Sequence, residues 1–328
     1  MEVPPLLNAD TPIERFGKSR EDVRLLTYSK NEIYHDVFRN LCSYFQVGDV
    51  LVFNNSRTIP AVIKTVEGIE VRLSRQLTHH LWDALLPEAF SGDLIFETGV
   101  SARVIGDGSE KPLKRIQFTT RNTSMLNNLY LQGDVVRYEH SAANWPLSDY
   151  QTVYASQPGS VEMPSAGRAF TWRLLNELKK AGVELVFITL HAGLSYYGKD
   201  KWPTPSLHPE PYVINAKQAQ LINHAKAAGR QVIAVGTTVV RALESASEKG
   251  VVVACNKETN LYIKEAYQLT VVDGMLTGFH EEEASHMRML EAFIGKDAVH
   301  SVYKEAIERS YLWHEFGDMN LIMKESVR

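Results

Sequence analysis

The chain has 328 residues, of which 44% are hydrophobic and 9% aromatic, and its formal net charge is −4. This length allows one large core or two domains, and the ordinary glycine and proline content excludes collagen-like and wholly disordered chains. The chain has 35 basic and 39 acidic residues, and this slight excess of negative charge disfavours a protein that binds nucleic acid over its whole surface. Any contact with nucleic acid should therefore be local.

The two cysteines, Cys42 and Cys255, lie far apart and form no CxxC pair. A disulfide scaffold or a structural zinc site therefore has little support. The N-terminal segment MEVPPLLNADTPIER lacks a basic stretch followed by an apolar one, and no apolar run approaches the roughly 20 residues of a membrane helix. We expect a cytoplasmic protein that makes no contact with a membrane.

Short β-rich runs dominate the chain from about residue 48 to residue 120. DVLVFNN, AVIKTVEG and IEVRLSRQL come first, and Glu67-Gly68 between the last two is typical of a hairpin turn. LWDALL, DLIFET, VSARVI and RIQFTT continue the pattern. Strands at such close spacing predict a small barrel or sandwich, which we place at residues 62–149.

After Tyr150, helical and strand patterns alternate. The amphipathic segment FTWRLLNELKKAG precedes the apolar run VELVFITL, and AKQAQLINHAKAAGR, with Asn215 as its N-cap, precedes QVIAV. VVRALESASEKG and EEEASHMRMLEAFIG supply two further helices. Nearly continuous apolar runs suit strands that are buried on both faces. This order predicts an α/β fold with a mostly parallel sheet.

A helix N-terminus follows the strand QVIAV at Gly236-Thr237-Thr238. Free backbone N–H groups and the positive end of the helix dipole face such a turn, so it can hold a carboxylate, a phosphate or a ribose hydroxyl. Arg241 and Glu244 are three residues apart and share a face of this helix. A capped helix with a surface ion pair is the commoner origin of such a pattern, and both interpretations stay open.

Histidines and a carboxylate follow the strand VELVFITL. His191 lies where open α/β sheets bind their ligands and could act as acid, base or donor. Downstream, LHPEPY offers His208 and Glu210 in a segment that its prolines make stiff. A structural histidine and an ordered surface loop are the alternatives.

Three further polar residues lie in loops. Arg57, in NNSRTIPA, could clamp an anion, whereas Asp273, in VVDG, could simply shape a turn. Asp318 follows a glycine and precedes an apolar run. The sequence contains no HExxH, GxSxG, Walker lysine loop or GxGxxG, and we expect no metal.

Eight segments taken together resemble, in order, the motifs of the S-adenosylmethionine:tRNA ribosyltransferase-isomerase family of queuosine biosynthesis. They extend from about Ile13 to Met323 and read NNSRTIPA, YQTVYA, GSVEMPSAGRAFT, LHAG, LHPEPY, GTTVVRALESA, VVDGMLTGFH and FGDMNLI. The resemblance implies a discontinuous three-layer α/β domain, residues 1–61 and 150–328. A small β-barrel domain, residues 62–149, would be inserted in it.

The resemblance also implies an activity. The family transfers and isomerises the ribosyl part of S-adenosylmethionine onto 7-aminomethyl-7-deazaguanine in tRNA, giving epoxyqueuosine, adenine and methionine without a metal. A sulfonium acidifies the adjacent ribose C5′, so a positioned base can remove a proton there, and the developing charges need preorganised donors. We expect a monomer with S-adenosylmethionine and tRNA as partners.

The implied site has two groups of residues. Those expected to bind S-adenosylmethionine are Gly236, Thr237, Thr238, Arg57, Asp273, His280 and Asp318. Those expected to carry the chemistry are His191, His208, Glu210, Arg241 and Glu244. On this interpretation Arg241 and Glu244 line one pocket, and the two histidines with Glu210 are the candidates for proton transfer.

The chain departs from the family's motifs at several positions. In AGRAFT, LSYY, FHEEEAS and EFGDMN the unusual residues are Arg168, Ala169, Tyr196, Tyr197, Glu283, Glu315 and Phe316. Loss of a lysine and gain of acids would weaken phosphate contacts. A second hypothesis is therefore a divergent relative that uses the same S-adenosylmethionine pocket on a smaller, non-tRNA acceptor, or cleaves the cosubstrate. A third is a non-catalytic tRNA-binding relative.

Overall fold

The computed structural model describes residues 4–119, 122–138, 144–199, 201–280 and 285–324. Numbered in chain order, the strands are β1 Arg24–Ser29, β2 Glu32–Val37, β3 Val50–Asn54, β4 Ser56–Thr58, β5 Val62–Lys64, β6 Glu70–Gln76, β7 Leu81–Leu85, β8 Asp93–Ile95, β9 Ser101–Asp107, β10 Lys114–Phe118, β11 Gln157–Ser160, β12 Glu184–Leu190, β13 Glu210–Ile214, β14 Val232–Val235, β15 Ser247–Glu248, β16 Val251–Val252, β17 Cys255–Thr259, β18 Gly274–Thr277 and β19 Met319–Met323. The α-helices are α1 Asn122–Gln132, α2 Trp172–Lys180, α3 Ala216–Ala227, α4 Thr237–Ser245, α5 Ser285–Ile294 and α6 Lys296–Glu308.

The larger sheet has the order β17-β13-β12-β3-β14-β18-β19-β1-β2. Its centre, β12-β3-β14-β18, is parallel, whereas β13, β17 and β2 pair antiparallel with their neighbours and β19 runs antiparallel to β18. Outside the centre only β19 and β1 pair parallel, so the prediction of a mostly parallel sheet holds for the centre and the sheet as a whole is mixed. The physical reason is that antiparallel neighbours need no helical crossover, as in the tight turn at Lys30 and Asn31 between β1 and β2.

Both faces of the central strands are covered. In β3, Val50 and Val52 belong to one core cluster with residues of α3, α4, α5 and α6, while Leu51 and Phe53 belong to a second cluster with residues of α2. Strands buried on both faces explain the unbroken apolar runs in the sequence. The mixed α/β class is confirmed, while the three-layer arrangement stays a prediction.

The second sheet, β5-β6-β7-β10-β9-β8, is antiparallel and curls so that its edge strands approach each other. Thr65 and Phe96, which follow β5 and β8, form a bridge. The predicted hairpin at Glu67-Gly68 is confirmed, with Gly68 at a φ of 82° and its N–H donating to Thr65 O at 2.8 Å. The limits of the inserted domain, residues 62–149, stay a prediction.

The core of the curled sheet is shared with the rest of the chain. Its cluster around the buried Trp82 includes Val161, Leu194 and Tyr197, which lie outside residues 62–149. The curled sheet therefore packs against the segments that follow β11 and β12. No helix in the described ranges is long and apolar enough to cross a membrane.

Candidate active site

The carboxyl ends of β3, β12, β14 and β18 lie together at one edge of the large sheet, because these strands are parallel neighbours. Asn54, at the end of β3, connects the end of β12 with the start of α4 at this edge. Its side chain accepts from Leu190 N at 3.0 Å, donates to Leu190 O at 2.9 Å and reaches Thr238 Oγ1 at 3.4 Å. The edge therefore brings the predicted residues His191 and Gly236-Thr237-Thr238 together.

His191 is held in a defined orientation at this edge. Its Nδ1 forms a hydrogen bond of 2.7 Å with Ser56 Oγ, and burial lowers the pKa of the imidazole below its usual value. The backbone of Gly159, at a φ of 153°, packs closely against the ring, and a Cβ at this position would come within 2.8 Å of the imidazole. A neutral, oriented imidazole is suited to accepting a proton at neutral pH.

Helix α4 begins at this edge without a side-chain cap. Gly236 has a φ of 94° and donates its N–H to Leu276 O, and no side chain caps the first turn of the helix. Thr237 is buried and Thr238 half-buried. A helix start of this kind presents backbone N–H groups and the positive end of the dipole to a ligand.

Glu210 and Arg241 form an ion pair beside this edge. The Glu210 side chain is 9% exposed and the Arg241 side chain 21%, and Glu210 Oε1 also accepts from Gly193 N at 3.3 Å. The sequence predicted Arg241 on one helix face with Glu244, but the structure pairs it with a carboxylate from β13. The ion pair therefore connects α4 to the loop after β12.

Glu244 has a different environment from Arg241. Its buried carboxylate accepts hydrogen bonds from the backbone N–H groups of Thr270, Val271 and Val272 and from Thr270 Oγ1, at 2.9 to 3.2 Å. A carboxylate with this many donors fixes a loop. The expectation that Arg241 and Glu244 line one pocket is corrected by this geometry.

His208 lies at the junction between the two sheets. Its Nδ1 is 3.3 Å from Tyr197 Oη, and Tyr197 in turn donates to Glu110 Oε1 at 3.0 Å. Burial lowers the pKa of His208. A Cβ on Gly193 would come within 2.2 Å of His208 Nε2, so this glycine allows the imidazole to approach the backbone after His191.

His280 follows β18 and therefore belongs to the same edge. Its Nε2 lies 2.8 Å from Thr277 Oγ1, and its ring centroid is 4.2 Å from that of His286. Burial and the neighbouring histidines hold the pKa of His280 well below its usual value. The pKa of His286 falls to about 4 because of burial and the nearby Arg241. Both rings are neutral at neutral pH.

Glu162 is a site residue to which the sequence analysis assigned no role. Val161 N donates to Ala192 O at 2.8 Å, so this segment runs beside the loop that follows His191. Glu162 Oε1 accepts from Ser195 N at 2.6 Å and from the Tyr138 hydroxyl. Burial raises the pKa of this carboxyl to about 8. The sequence signal was only its place within the motif GSVEMPSAGRAFT.

Asp273 does not belong to this edge, which corrects its prediction as a binding residue. Its Oδ2 accepts from Val232 N at 2.9 Å, and its N–H donates to Val232 O at 2.8 Å. Val232 starts β14 whereas Gly236 follows its end, so the two points are about 13 Å apart at ~3.3 Å per residue. The aspartate stabilises the opposite end of the sheet, and it forms no hairpin.

Asp318 and Arg57 lie near the edge but differ from expectation in their contacts. Asp318 accepts from Arg24 N at 2.7 Å and from Leu312 N at 2.8 Å, which engages both carboxylate oxygens with backbone. Burial raises its pKa. Arg57 is exposed on β4, between the buried Ser56 and Thr58. A binding role for Arg57 stays a prediction, whereas the contacts of Asp318 indicate a structural carboxylate.

Two of the chain's unusual motif residues contact each other. Arg168 is 3% exposed, donates to both oxygens of Glu14 at 2.9 and 3.1 Å, and stacks 4.7 Å above the ring of Phe316. Arg168, Phe316 and Gly278 line a small cavity beside this contact. Glu283, the acid at a usual lysine position, lies outside the described residues.

The fold and this edge define an α/β enzyme whose polar site lies at the carboxyl ends of parallel strands. Among the residues described, no group of three or more His, Cys, Asp or Glu side chains could hold a metal ion. The chain belongs to the family described as "Queuosine biosynthesis protein", whose model matches residues 1–322.

Named relatives agree with this membership. The chain is 38% identical over 310 residues to an S-adenosylmethionine:tRNA ribosyltransferase-isomerase from Thermus thermophilus, covering 89% of each chain. It is 35% identical to a protein of the same name from Carboxydothermus hydrogenoformans, covering 98% of this chain and 97% of that one. The crystal structure of S-adenosylmethionine tRNA ribosyltransferase from Thermotoga maritima superposes with a TM-score of 0.56 at 26% identity, covering 98% of this chain and 99% of that chain.

Proposed function

We propose that this chain transfers and isomerises the ribosyl moiety of S-adenosylmethionine onto 7-aminomethyl-7-deazaguanine in tRNA. The products would be epoxyqueuosine in tRNA, adenine and methionine. The observation that carries this function is the similarity to the ribosyltransferase-isomerases along nearly the whole chain. The structural feature that supports it is the polar edge of the large sheet, where Asn54 joins the end of β12 to the start of α4.

The hypothesis of a smaller, non-tRNA acceptor is not favoured. The similarity covers the curled sheet as well as the α/β part, and it extends over 97% of the relative from Carboxydothermus hydrogenoformans. The motif changes that prompted the hypothesis at Arg168 and Phe316 are accommodated by a buried contact within the chain. Both observations support a retained reaction.

The roles we propose for the edge residues follow from their protonation states. The start of α4, with Gly236, Thr237 and Thr238, holds a polar group of S-adenosylmethionine through backbone N–H groups. His191, neutral and hydrogen-bonded to Ser56, accepts the acidified proton from C5′. The ion pair of Glu210 and Arg241 fixes the loop that carries this histidine.

Departure of adenine needs a proton donor. Glu162 holds a proton at neutral pH because its pKa is about 8. We therefore propose that Glu162 donates this proton to the leaving adenine as the glycosidic bond breaks, while His191 keeps the proton from C5′. One protonated acid and one neutral base would thus serve one reaction from neighbouring loops.

The test is an assay of adenine and methionine release. The purified protein is incubated with S-adenosylmethionine alone, with unmodified tRNA, and with tRNA that carries the 7-deazaguanine precursor. Release that requires the precursor tRNA is expected. Release without any tRNA, or tight binding of S-adenosylmethionine with no release under any condition, would contradict the proposal. We further propose that the protein works in the cytoplasm as a monomer.

A further inference from the structure

Three aromatic side chains form a row beside the candidate site. The ring centroids of Tyr138 and Tyr196 are 5.8 Å apart, and those of Tyr196 and Trp202 are 5.3 Å apart. Trp202 is 47% exposed. Tyr138 comes from the segment after α1, while the other two lie in the loop after β12. We call this set the aromatic row.

The inner end of the aromatic row, Tyr138, contacts Glu162, the proposed proton donor. The Tyr138 hydroxyl and the backbone N–H of Ser195 both donate to Glu162 Oε1, and Ser195 Oγ lies 3.5 Å from the Tyr138 hydroxyl. Tyr196 follows Ser195 directly in the chain. A molecule that lies along the row would therefore extend from the reacting atoms toward solvent.

The outer end of the row is fixed by backbone hydrogen bonds that hold Lys201 against Tyr197 and Gly198. Tyr197 N donates to Lys201 O at 2.8 Å, and Lys201 N donates to Gly198 O at 3.1 Å. Trp202 follows Lys201 directly in the chain, and both Lys199 and Lys201 are exposed. An exposed indole would be held in place before any ligand arrives, with two cationic side chains near it in the sequence.

We propose that the aromatic row binds an unpaired base of the tRNA that flanks the reacting nucleotide. Proteins that read single-stranded RNA stack its splayed bases on aromatic rings and bind its phosphates with nearby cations. The row supplies the exposed ring, and Lys199 and Lys201, which flank Asp200 in the sequence, supply two cationic groups on a chain whose net charge is −4. This inference rests on the proposed function, because it concerns the acceptor of the same site.

Binding to RNA is the direct test because it requires no turnover. The probe is a fluorescein-labelled anticodon stem-loop RNA with guanine at the wobble position, and fluorescence anisotropy gives its Kd. A second RNA replaces the base next to the wobble position by an abasic ribose. The variants are Trp202→Ala, Trp202→Phe and Tyr196→Ala. Tyr34→Ala is the control, since Tyr34 is a 46% exposed aromatic on β2, at the far edge of the large sheet.

We expect Trp202→Ala and Tyr196→Ala to weaken binding of the intact RNA about tenfold, while Trp202→Phe and Tyr34→Ala leave it unchanged. The wild-type chain should bind the abasic RNA more weakly than the intact RNA. The Trp202→Ala variant should bind the two RNAs with the same, weak affinity. This loss of discrimination identifies a base as the partner of the ring.

Three results would overturn the inference. They are unchanged RNA affinity in Trp202→Ala, equal discrimination by wild type and variant, and no binding of the stem-loop to the wild-type chain. An increase in the KM for S-adenosylmethionine without a change in RNA affinity would assign the row to the adenine of the cosubstrate instead. Failure of the proposed reaction is recognised separately, as absent adenine release by a wild-type chain that still binds the RNA.

Discussion

The side-chain amide of Asn54 bonds both backbone groups of Leu190, accepting from its N–H at 3.0 Å and donating to its carbonyl at 2.9 Å. Both residues are buried, with exposed fractions of 1% for Asn54 and 0% for Leu190. The pair continues the contact between β3 and β12 beyond the last ladder hydrogen bonds and sets the position of His191, the next residue. The candidate base is thereby fixed by an amide from another strand.

Replacement of Asn54 by alanine should therefore lower both stability and turnover. Two buried backbone groups of Leu190 would lose their partner, at a cost of about 1–3 kcal/mol in the free energy of unfolding. Thermal or urea unfolding measures this loss. Asn40→Ala is the control, because the amide of Asn40 donates to Asp36 Oδ1 in an exposed hydrogen bond, and its loss should change stability by less than about 0.5 kcal/mol. Equal stability of the two variants would contradict the assignment.

The geometry of His191 depends on the absence of a side chain at residue 159. A Cβ in Gly159→Ala would approach the imidazole to 2.8 Å, at a φ of 153° that alanine rarely adopts. We expect kcat to fall at least about tenfold while the binding of S-adenosylmethionine, measured by calorimetry, changes little. Gly99 also has a positive φ, of 79°, but no atom lies near its Cβ position, so Gly99→Ala should keep wild-type turnover. Similar activity of both variants would exclude a steric effect on His191.

Arg241 and Glu244 should respond differently to substitution although they lie three residues apart on α4. Arg241→Ala removes the partner of Glu210 at the site, so binding or turnover of S-adenosylmethionine should weaken while the fold persists. Glu244→Gln removes the charge that holds residues 270–272, so the melting temperature should fall while the KM for S-adenosylmethionine stays similar. Unfolding of Arg241→Ala with wild-type behaviour of Glu244→Gln would reverse these assignments.

Glu162→Gln tests the proposed acid through its pH dependence. The folded pKa of about 8 exceeds the ordinary value of 4.5, so the folded state holds this proton more tightly than the unfolded state. The protonated carboxyl is required for proton donation, and kcat should therefore fall as pH rises through about 8. Glutamine cannot donate in the same way, so the variant should lose rate and also lose this basic limb.

The same substitution predicts a change in stability. Because the folded pKa is raised, the contribution of Glu162 to stability is complete below pH about 4 and declines as pH rises toward about 8. Glu162→Gln should therefore flatten the dependence of the free energy of unfolding on pH in this window. A wild-type slope in the variant, measured by urea unfolding at several pH values, would show that another group titrates there.

The sequence predicted those features that local physics controls. Apolar runs typical of strands buried on both faces identified β12 and β14, and the cap at Asn215 placed α3, where Asn215 Oδ1 accepts from Gln218 N at 2.9 Å. The order of the family's motifs indicated the reaction. Their positions at strand ends were sufficient to predict that His191 and Gly236 lie at the same edge, because the ends of neighbouring parallel strands meet there.

The tertiary structure decided which polar groups share an environment. Spacing along a helix paired Arg241 with Glu244, whereas contact across the fold pairs Arg241 with Glu210. Asp273 shares a motif with His280 but lies at the opposite end of the sheet. Glu162 has a raised pKa because other segments bury it and bring the carboxylates of Glu315 and Glu210 near it. Periodicity and motif order are local properties of a chain, while ion pairing and desolvation depend on residues distant in sequence, and these contacts form only when the sheets pack.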